Sequence, residues 1–579
     1  VGLRSPLYGQ TLQKKIGFSN RFWLGRRVTR FPFAKAARPT ENNPVSKSLK
    51  NISVVASATM ASRVLGLVRE SLTAAVFGVS ALASAYSTAF QLPNLFRRLL
   101  AEGGMTAAFV PTLNDEMHKR QREGAFTLVN QVASWLFVVS LTLVLLAMGF
   151  LSQARWVAWV GRVFHNDEAT IERWLLAAKL SVILFPYLVF VCLAAAFSSA
   201  LQTLNRFLEP ALSPIWLNLS MISFLLAGAR WASGGEMGRM YWFCGGILLG
   251  GFLQMAVPAW ALTREGWRPA FDLTWSEPVK MVVRLMGPTV LGSSVYLINM
   301  VVQRFIGLSL NDAAVSVLNY ASRLMELPIG VFAVAVSTVV FPLISRYGAQ
   351  GDFKNMGAAY RKGMRLILVI NIPAAVGMAV LAEPIIRLIF QHGHFHAEGT
   401  RIMTPVLGVF AAGLPFFSFV NLVLRAFYAH KDTTTPVRAA VLSFFVNIVL
   451  SVVLMHWYST VGLAIASNLA IVIQACYLQV KLTQKGEQFS LRHLGLDLGK
   501  ILVASAAMGG AVGLGWRLWT GSFRGTSLND AVALVVLIVL GVAIYGGVAW
   551  MLRIEGRHEL EQLLGKFRGK LGLASAKVG

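Results

Sequence analysis

The chain has 579 residues, 55% of them hydrophobic and only 14% charged, with a mean hydropathy of +0.60. That composition excludes a soluble globular protein and belongs to a polytopic membrane protein. The net charge of +27 would suit nucleic acid, but most of the 53 Lys and Arg fall in loops and tails on one side of the apolar segments, as the positive-inside pattern requires; no nucleic acid partner is expected.

Residues 1–48 are basic and proline-bearing, with Glu41 the single acid before residue 46. They read as a disordered cytoplasmic tail or the product of an upstream start site, while their acid-poor composition also fits an organellar transit peptide. From Leu49 onward, apolar stretches of membrane-spanning length alternate with short polar loops. Fourteen spans are predicted, near 50–78, 81–112, 126–153, 172–202, 209–230, 238–263, 279–308, 312–345, 363–381, 401–429, 436–457, 460–480, 499–520 and 528–553. Loops at 113–124, 264–280, 346–365 and 481–500 and the tail 555–579 are basic; those at 79–81, 308–312 and 456–461 are poor in charge. An even number of spans then puts both termini in the cytoplasm.

Charges within the spans are the functional signal. In the first, Ser62-Arg63 is followed by Arg69-Glu70; Arg63 and Glu70 share a helix face, Arg69 points to a neighbouring one, and Gly66 permits close packing. In the second, Asn94, Arg98 and Glu102 recur every four residues, Arg97 lies three after Asn94, and Pro93 precedes the stripe. An Arg at mid-bilayer costs about 2.5 to 3.5 kcal/mol on insertion scales, so these residues are expected to face a water-filled cavity. Pairing of Arg98 with Glu102 near the cytoplasmic edge is the plainer alternative. In the eighth span Arg323 and Glu326 are three apart, which fits mutual neutralisation as well as a ligand role. Lys179, Arg304 and Arg425 are close enough to span ends to snorkel. Eight in-span cations against three acids call for an anion, and the forked, non-titrating guanidinium suits phosphate.

Pro186–Asn218 aligns with Pro415–Asn447 at an offset of 229, a distance covering six spans. Two copies in the same orientation imply halves related by an axis along the membrane normal, with a substrate site between them. The expected divisions are 49–265, 266–485 and two extra spans in 486–554. Cys192, Cys244 and Cys476 are dispersed and form neither a disulfide framework nor a zinc motif. His392-Gly393-His394-Phe395-His396 alternates histidines, but reads as a polar surface loop; no metal and no cofactor is expected. The absence of a G-x-x-x-x-G-K-[ST] motif argues against ATP hydrolysis. An enzyme would be expected to cluster acids, and Asp167-Glu168 on a predicted outer loop is a poor candidate.

S-R-V-L-G-L-V-R-E at 62–70, F-Q-L-P-N-L-F-R-R-L-L-A-E-G at 90–103, F-V-P at 109–111, Y-A-S-R-L-M-E-L-P-I-G-V-F at 320–332 and F-Y-A-H-K-D-T-T-T-P at 427–436 resemble the MurJ (MviN) lipid II flippases of the multidrug/oligosaccharidyl-lipid/polysaccharide exporter superfamily. The resemblance implies an all-α fold of two six-helix bundles around a central cavity, with two further helices forming a groove for a polyprenyl tail. It also implies alternating-access transport of the undecaprenyl-pyrophosphate-linked peptidoglycan precursor to the outer leaflet of the bacterial inner membrane, by a transporter and not an enzyme. Carried over by position, the cavity arginines are Arg63, Arg69, Arg97 and Arg323, supported by Ser62, Glu70, Asn94, Arg98, Glu102 and Glu326. A monomer associated with cell-wall synthesis machinery is expected. Ser84 and Ser322 stand where the family often has acids. A flippase for another polyprenyl-pyrophosphate glycan shares the charge logic, whereas a drug/cation antiporter of the same superfamily would need the opposite charge.

Overall fold

The computed structural model describes residues 44–97, 105–163, 167–522 and 527–554. The chain divides into two compact units, 1–50 and 51–579; of the first, 44–50 is described and forms the opening turns of a helix. Among the described residues are sixteen α-helices. In chain order these are α1 (Pro44–Phe77), α2 (Ala81–Arg97), α3 (Thr106–Ser152), α4 (Ala154–Val163), α5 (Glu168–Leu184), α6 (Tyr187–Thr203), α7 (Leu208–Trp231) and α8 (Gly235–Arg264). An irregular segment, 267–276, leads to α9 (Glu277–Leu310), α10 (Ala314–Ala349), α11 (Phe353–Val380), α12 (Ala382–Phe390), α13 (Ala397–Ala429) and α14 (Thr434–Thr483). The chain closes with α15 (Gly495–Ser522) and α16 (Ser527–Met551).

Helices follow from the medium: an apolar chain in hydrocarbon must satisfy every backbone polar group internally. Eight described helices are long and apolar enough to cross a membrane, nine if α5 and α6 form one bent span. Two are too long for a single crossing. The 47 residues of α3 and 50 of α14 would run about 70 Å at 1.5 Å per residue, over twice the ~30 Å hydrocarbon. Each breaks where a non-glycine residue takes positive φ, α3 at Gln121 (φ 55°) and α14 at Ser459 (φ 49°). Most of the predicted spans fall on these helices and limbs; the one expected over 81–112 begins as α2, passes through residues 98–104, which lie outside the described residues, and ends in the first limb of α3, and three further corrections apply. The loop expected at 113–124 is helical apart from its break, because charged residues do not oppose a helix that has emerged into water. The span expected over 172–202 is two helices bent by 46°, since Pro186 supplies no backbone N–H. The short helices α4 and α12 occupy stretches expected to be loops.

The first half, α1–α8, is cemented by a glycine-rich face of α8. A Cβ on Gly251 would lie 2.5 Å from the Tyr187 ring, and one on Gly250 2.8 Å from Leu217. In the second half, α10, α11, α13 and α14 share a core around Tyr360, Leu422, Val423 and Phe427. The terminal pair packs on that half: Tyr545 Oη donates to Val369 O (2.7 Å), Arg365 pairs with Asp497 (2.9 Å) and Arg387 with Asp530 (2.7 Å).

Contacts between the halves gather at the end carrying the 78–80 turn. Ser84 Oγ donates to Asp312 O (2.5 Å) and accepts from Ser316 N (3.1 Å), so Ser84 ties α2 to the start of α10. Tyr320 Oη donates to Gly78 O (3.3 Å), and Arg173 pairs with Asp312 (2.9 Å). The histidine loop docks here: His394 N donates to Ala75 O (2.8 Å). Gly78 and Gly393 have φ of +60° and +57°, and a Cβ on either would lie within 2.5 Å of the opposing carbonyl oxygen. Both conformation and space therefore demand glycine.

Candidate functional site

Midway along α1 a cavity of about 180 Å³ lies between the halves, lined by Ser62, Arg63, Arg69, Asn94, Arg323 and Glu326 with Phe90, Asn218 and Gln254. Six of the ten residues singled out from the sequence therefore meet in one place. Glu70, a seventh, lies behind the lining and is almost fully buried. Arg97 ends α2, and its side chain lies outside the described residues, as do Arg98 and Glu102 entirely.

The arginines are held by partners rather than standing bare. Arg69 donates to the Glu70 carboxylate beside it and to Asn218 Oδ1 (3.1 Å). Arg323, from the other half, reaches the same carboxylate, Nε lying 3.4 Å from Glu70 Oε1, and binds Glu326 Oε2 at 2.9 Å. Arg63 donates to the main-chain carbonyl of Glu326 (2.8 Å). Thus Glu70 links guanidinium groups from both halves, while Asn319 Nδ2 donates to its second oxygen (3.4 Å). Three arginines face two carboxylates, so the described cluster carries one surplus positive charge, not the large excess suggested by counting in-span residues. Buried charge without a counterion costs several kcal/mol, which is why the acids are there. The Nε atoms of Arg69 and Arg323 are buried without a hydrogen-bond partner.

A second, apolar hollow of about 310 Å³ abuts the first at Arg63 and is lined by Met60, Leu324, Pro328, Met378, Ile385 and Ile389. Arg63 thus stands where a polar chamber meets a greasy one.

Three weaker sequence candidates fall elsewhere. Lys179 lies over the Tyr241 ring (5.8 Å), Arg425 over Phe341 (4.8 Å), and Arg304 donates to Val315 O (3.3 Å) and Asn319 Oδ1 (3.4 Å). Gly66 is not needed for close packing, since a Cβ there would meet only Asn218 Nδ2 at 4.0 Å. Asn218, Asn319 and Gln254 were missed. For Asn218 a signal existed, because the internal repeat aligns it with Asn447. Asn218 donates to Ser62 O (3.2 Å) on α1; Asn447 binds Gln303 (2.7 Å) and Asn299 (3.2 Å) on α9. A buried amide thus clips α7 to α1, and another clips α14 to α9.

The family model described as lipid II flippase MurJ matches residues 73–533. The chain belongs to the lipid II flippase MurJ family. Its relatives include a probable lipid II flippase MurJ of Rhizobium tropici, 33% identical over 511 residues, 87% of this chain and 94% of the relative. One of Haemophilus influenzae is 30% identical over 515 residues, 87% and 99% of the two chains. A solved lipid II flippase MurJ in an inward closed conformation has a TM-score of 0.69 at 28% identity, covering 86% of this chain and 98% of that one. An inward-facing MATE family transporter of the MOP superfamily shares the fold, with a TM-score of 0.59 at 14% identity over 74% of this chain and 98% of that one. Family membership makes this a multi-pass membrane transporter rather than an enzyme.

Proposed function

We propose that the chain moves lipid II, an undecaprenyl-pyrophosphate-linked peptidoglycan precursor, from the cytoplasmic to the outer leaflet of the bacterial inner membrane by alternating access. The observation that carries the reading is the meeting of Arg63, Arg69 and Arg323, from both halves, at a polar cavity that adjoins an apolar hollow. A lipid-linked diphosphate has the same order of parts: polar headgroup, anionic joint, hydrocarbon tail. Arg63 lies where the joint would rest.

Glu70 and Glu326 act as internal counterions to these arginines. At about 4 Å and an effective dielectric near 20, an arginine–phosphate pair is worth roughly 4 kcal/mol before desolvation, much as an arginine–carboxylate pair is. Exchanging a carboxylate for a phosphate oxygen is therefore nearly balanced at each contact, and a balanced exchange lets a transporter release what it binds. The positive-inside distribution makes the 78–80 end the outer one and both termini cytoplasmic, so the clamp of Ser84, Tyr320 and His394 supports a state closed to the outside. An inside-negative potential favours outward movement of the anion by about 2.3 kcal/mol per charge per 100 mV.

The test uses the full chain in vesicles containing lipid II, scoring headgroup protection from a membrane-impermeant reagent. Arg63→Ala, Arg69→Ala, Arg97→Ala and Arg323→Ala are each expected to lower the rate at least tenfold. Normal translocation in all four, with the proteins intact by size exclusion, would overturn the site. Equal rates with an unrelated polyprenyl-pyrophosphate glycan would overturn the restriction to lipid II.

A further inference from the structure

The segment joining the halves, Trp267 to Ser276, has no regular structure, yet one edge is fastened to α3. Trp267 Nε1 and Ala270 N donate to Asn130 Oδ1 (2.8 and 3.3 Å), and Asn130 Nδ2 donates to Arg268 O (3.1 Å). Gln131 Nε2 donates to Asp272 Oδ2 (3.0 Å), Ser276 Oγ to Gln131 Oε1 (2.6 Å), and Asp272 N to Ser134 Oγ (2.9 Å). Hydrogen bonds donated by Thr274 N and Gln131 Nε2 hold the Asp272 carboxyl below its usual range. The other edge is largely exposed: Phe271, Leu273 and Trp275, at alternate positions, are 68%, 40% and 47% exposed, with one side of the Trp275 ring packed edge-on against Trp135 of α3 at 5.1 Å.

The fastening residues also fix how deep this edge lies. Asn130, Gln131 and Ser134 belong to the early turns of the second limb of α3, whose following residues Phe137, Val139, Leu143, Leu145 and Leu146 are exposed in the manner of a lipid-facing surface. About 20 residues cross the hydrocarbon, so a limb running from 122 to 152 overhangs it and brings the level of Asn130 to the boundary. Exposed cations flank the apolar triplet, Arg264 and Arg268 before it and Arg284 after it. Of the acids, Asp272 is engaged by Gln131, and the exposed Glu277 is neutralised by the equally surface-lying Lys280 (2.6 Å). An apolar edge bracketed by arginines matches the headgroup boundary of an anionic leaflet. We infer that 267–276 is a strap that belongs to the first half and rests in the bilayer surface, inserting Phe271, Leu273 and Trp275 between anionic lipids.

The experiment places a nitroxide at Phe271→Cys, Leu273→Cys or Trp275→Cys in the full chain carrying Cys476→Ser, because Cys476 is exposed. In phosphatidylcholine–phosphatidylglycerol vesicles, collision with lipid-soluble oxygen is expected to exceed collision with a water-soluble nickel chelate several-fold at all three sites. Dominant nickel collision would overturn the proposal, and so would exclusion of both relaxants, which would mean a protein covers the edge. Adding Asn130→Ala with Gln131→Ala is expected to mobilise the label, and an unchanged spectrum would overturn the fastening. Identical depth in pure phosphatidylcholine would overturn the preference for anionic lipid.

Discussion

At the residue scale, Glu70 carries the sharpest prediction. Its carboxylate joins Arg69 to Arg323 while almost fully buried, and removing one partner of a buried pair typically costs about 3 to 5 kcal/mol. Glu70→Gln should therefore lower the thermal midpoint of the empty protein, and inorganic pyrophosphate should raise that midpoint more in the variant than in the wild type. Equal shifts in the two would count against Glu70 as a counterion. Asp432, in the turn before α14, gives a prediction about pH. Burial alone would raise its pKa, but hydrogen bonds from Thr435, Lys485 and Thr434 outweigh that and hold the carboxyl well below the usual range. A depressed folded pKa gives stability that is complete above the unfolded value near 3.9 and is lost as pH falls toward the folded one. Asp432→Asn should thus cost about 1 kcal/mol at neutral pH, with the gap in thermal midpoint narrowing below about pH 4. Arg63, Arg69, Arg323 and Glu326 were legible in the sequence because an ionisable group in an apolar run has few reasons to be there. Asn319 and Gln254 were not, since a neutral amide in a span costs little and occurs often. The Arg69–Glu70 contact was equally hidden: adjacent residues point apart on a helix, and only the long arginine side chain closes the gap.

At the scale of the element, the packing of α8 against α6 separates a required glycine from an incidental one. Gly251→Val should destabilise by about 1 to 3 kcal/mol through overlap with Tyr187, whereas Gly66→Ala should fold with unchanged stability, because its nearest neighbour is 4.0 Å away. Thermal unfolding of the two purified variants checks both. The long helices were readable from hydropathy, and their breaks only in part. Pro186 announced the bend between α5 and α6, but Gln121 and Ser459 are ordinary residues whose positive φ is imposed by limbs that must fold back on each other. The helix α4 escaped notice because ten residues cannot span a bilayer and its Trp and Arg content resembles that of a loop.

For the whole molecule, the clamp at the 78–80 end should open and close during transport. A Cβ at Gly399 would lie 3.0 Å from Val79 Cγ2, close enough for a disulfide in Val79→Cys with Gly399→Cys. Oxidation is expected to stop translocation and reduction to restore it, and an oxidised protein that still transports would mean this clamp stays shut throughout. The offset of 229 pairs Asn218 with Asn447, and the difference between their surroundings was not legible in it. Asn218 grips a guanidinium on α1, whereas its counterpart Asn447 grips a carboxamide on α9. The two joints are thus unlike, cationic at Asn218 and neutral at Asn447. A negative cargo would therefore meet two of its three described arginines, Arg63 and Arg69, on one wall and Arg323 alone on the other, so its route through the protein is lopsided.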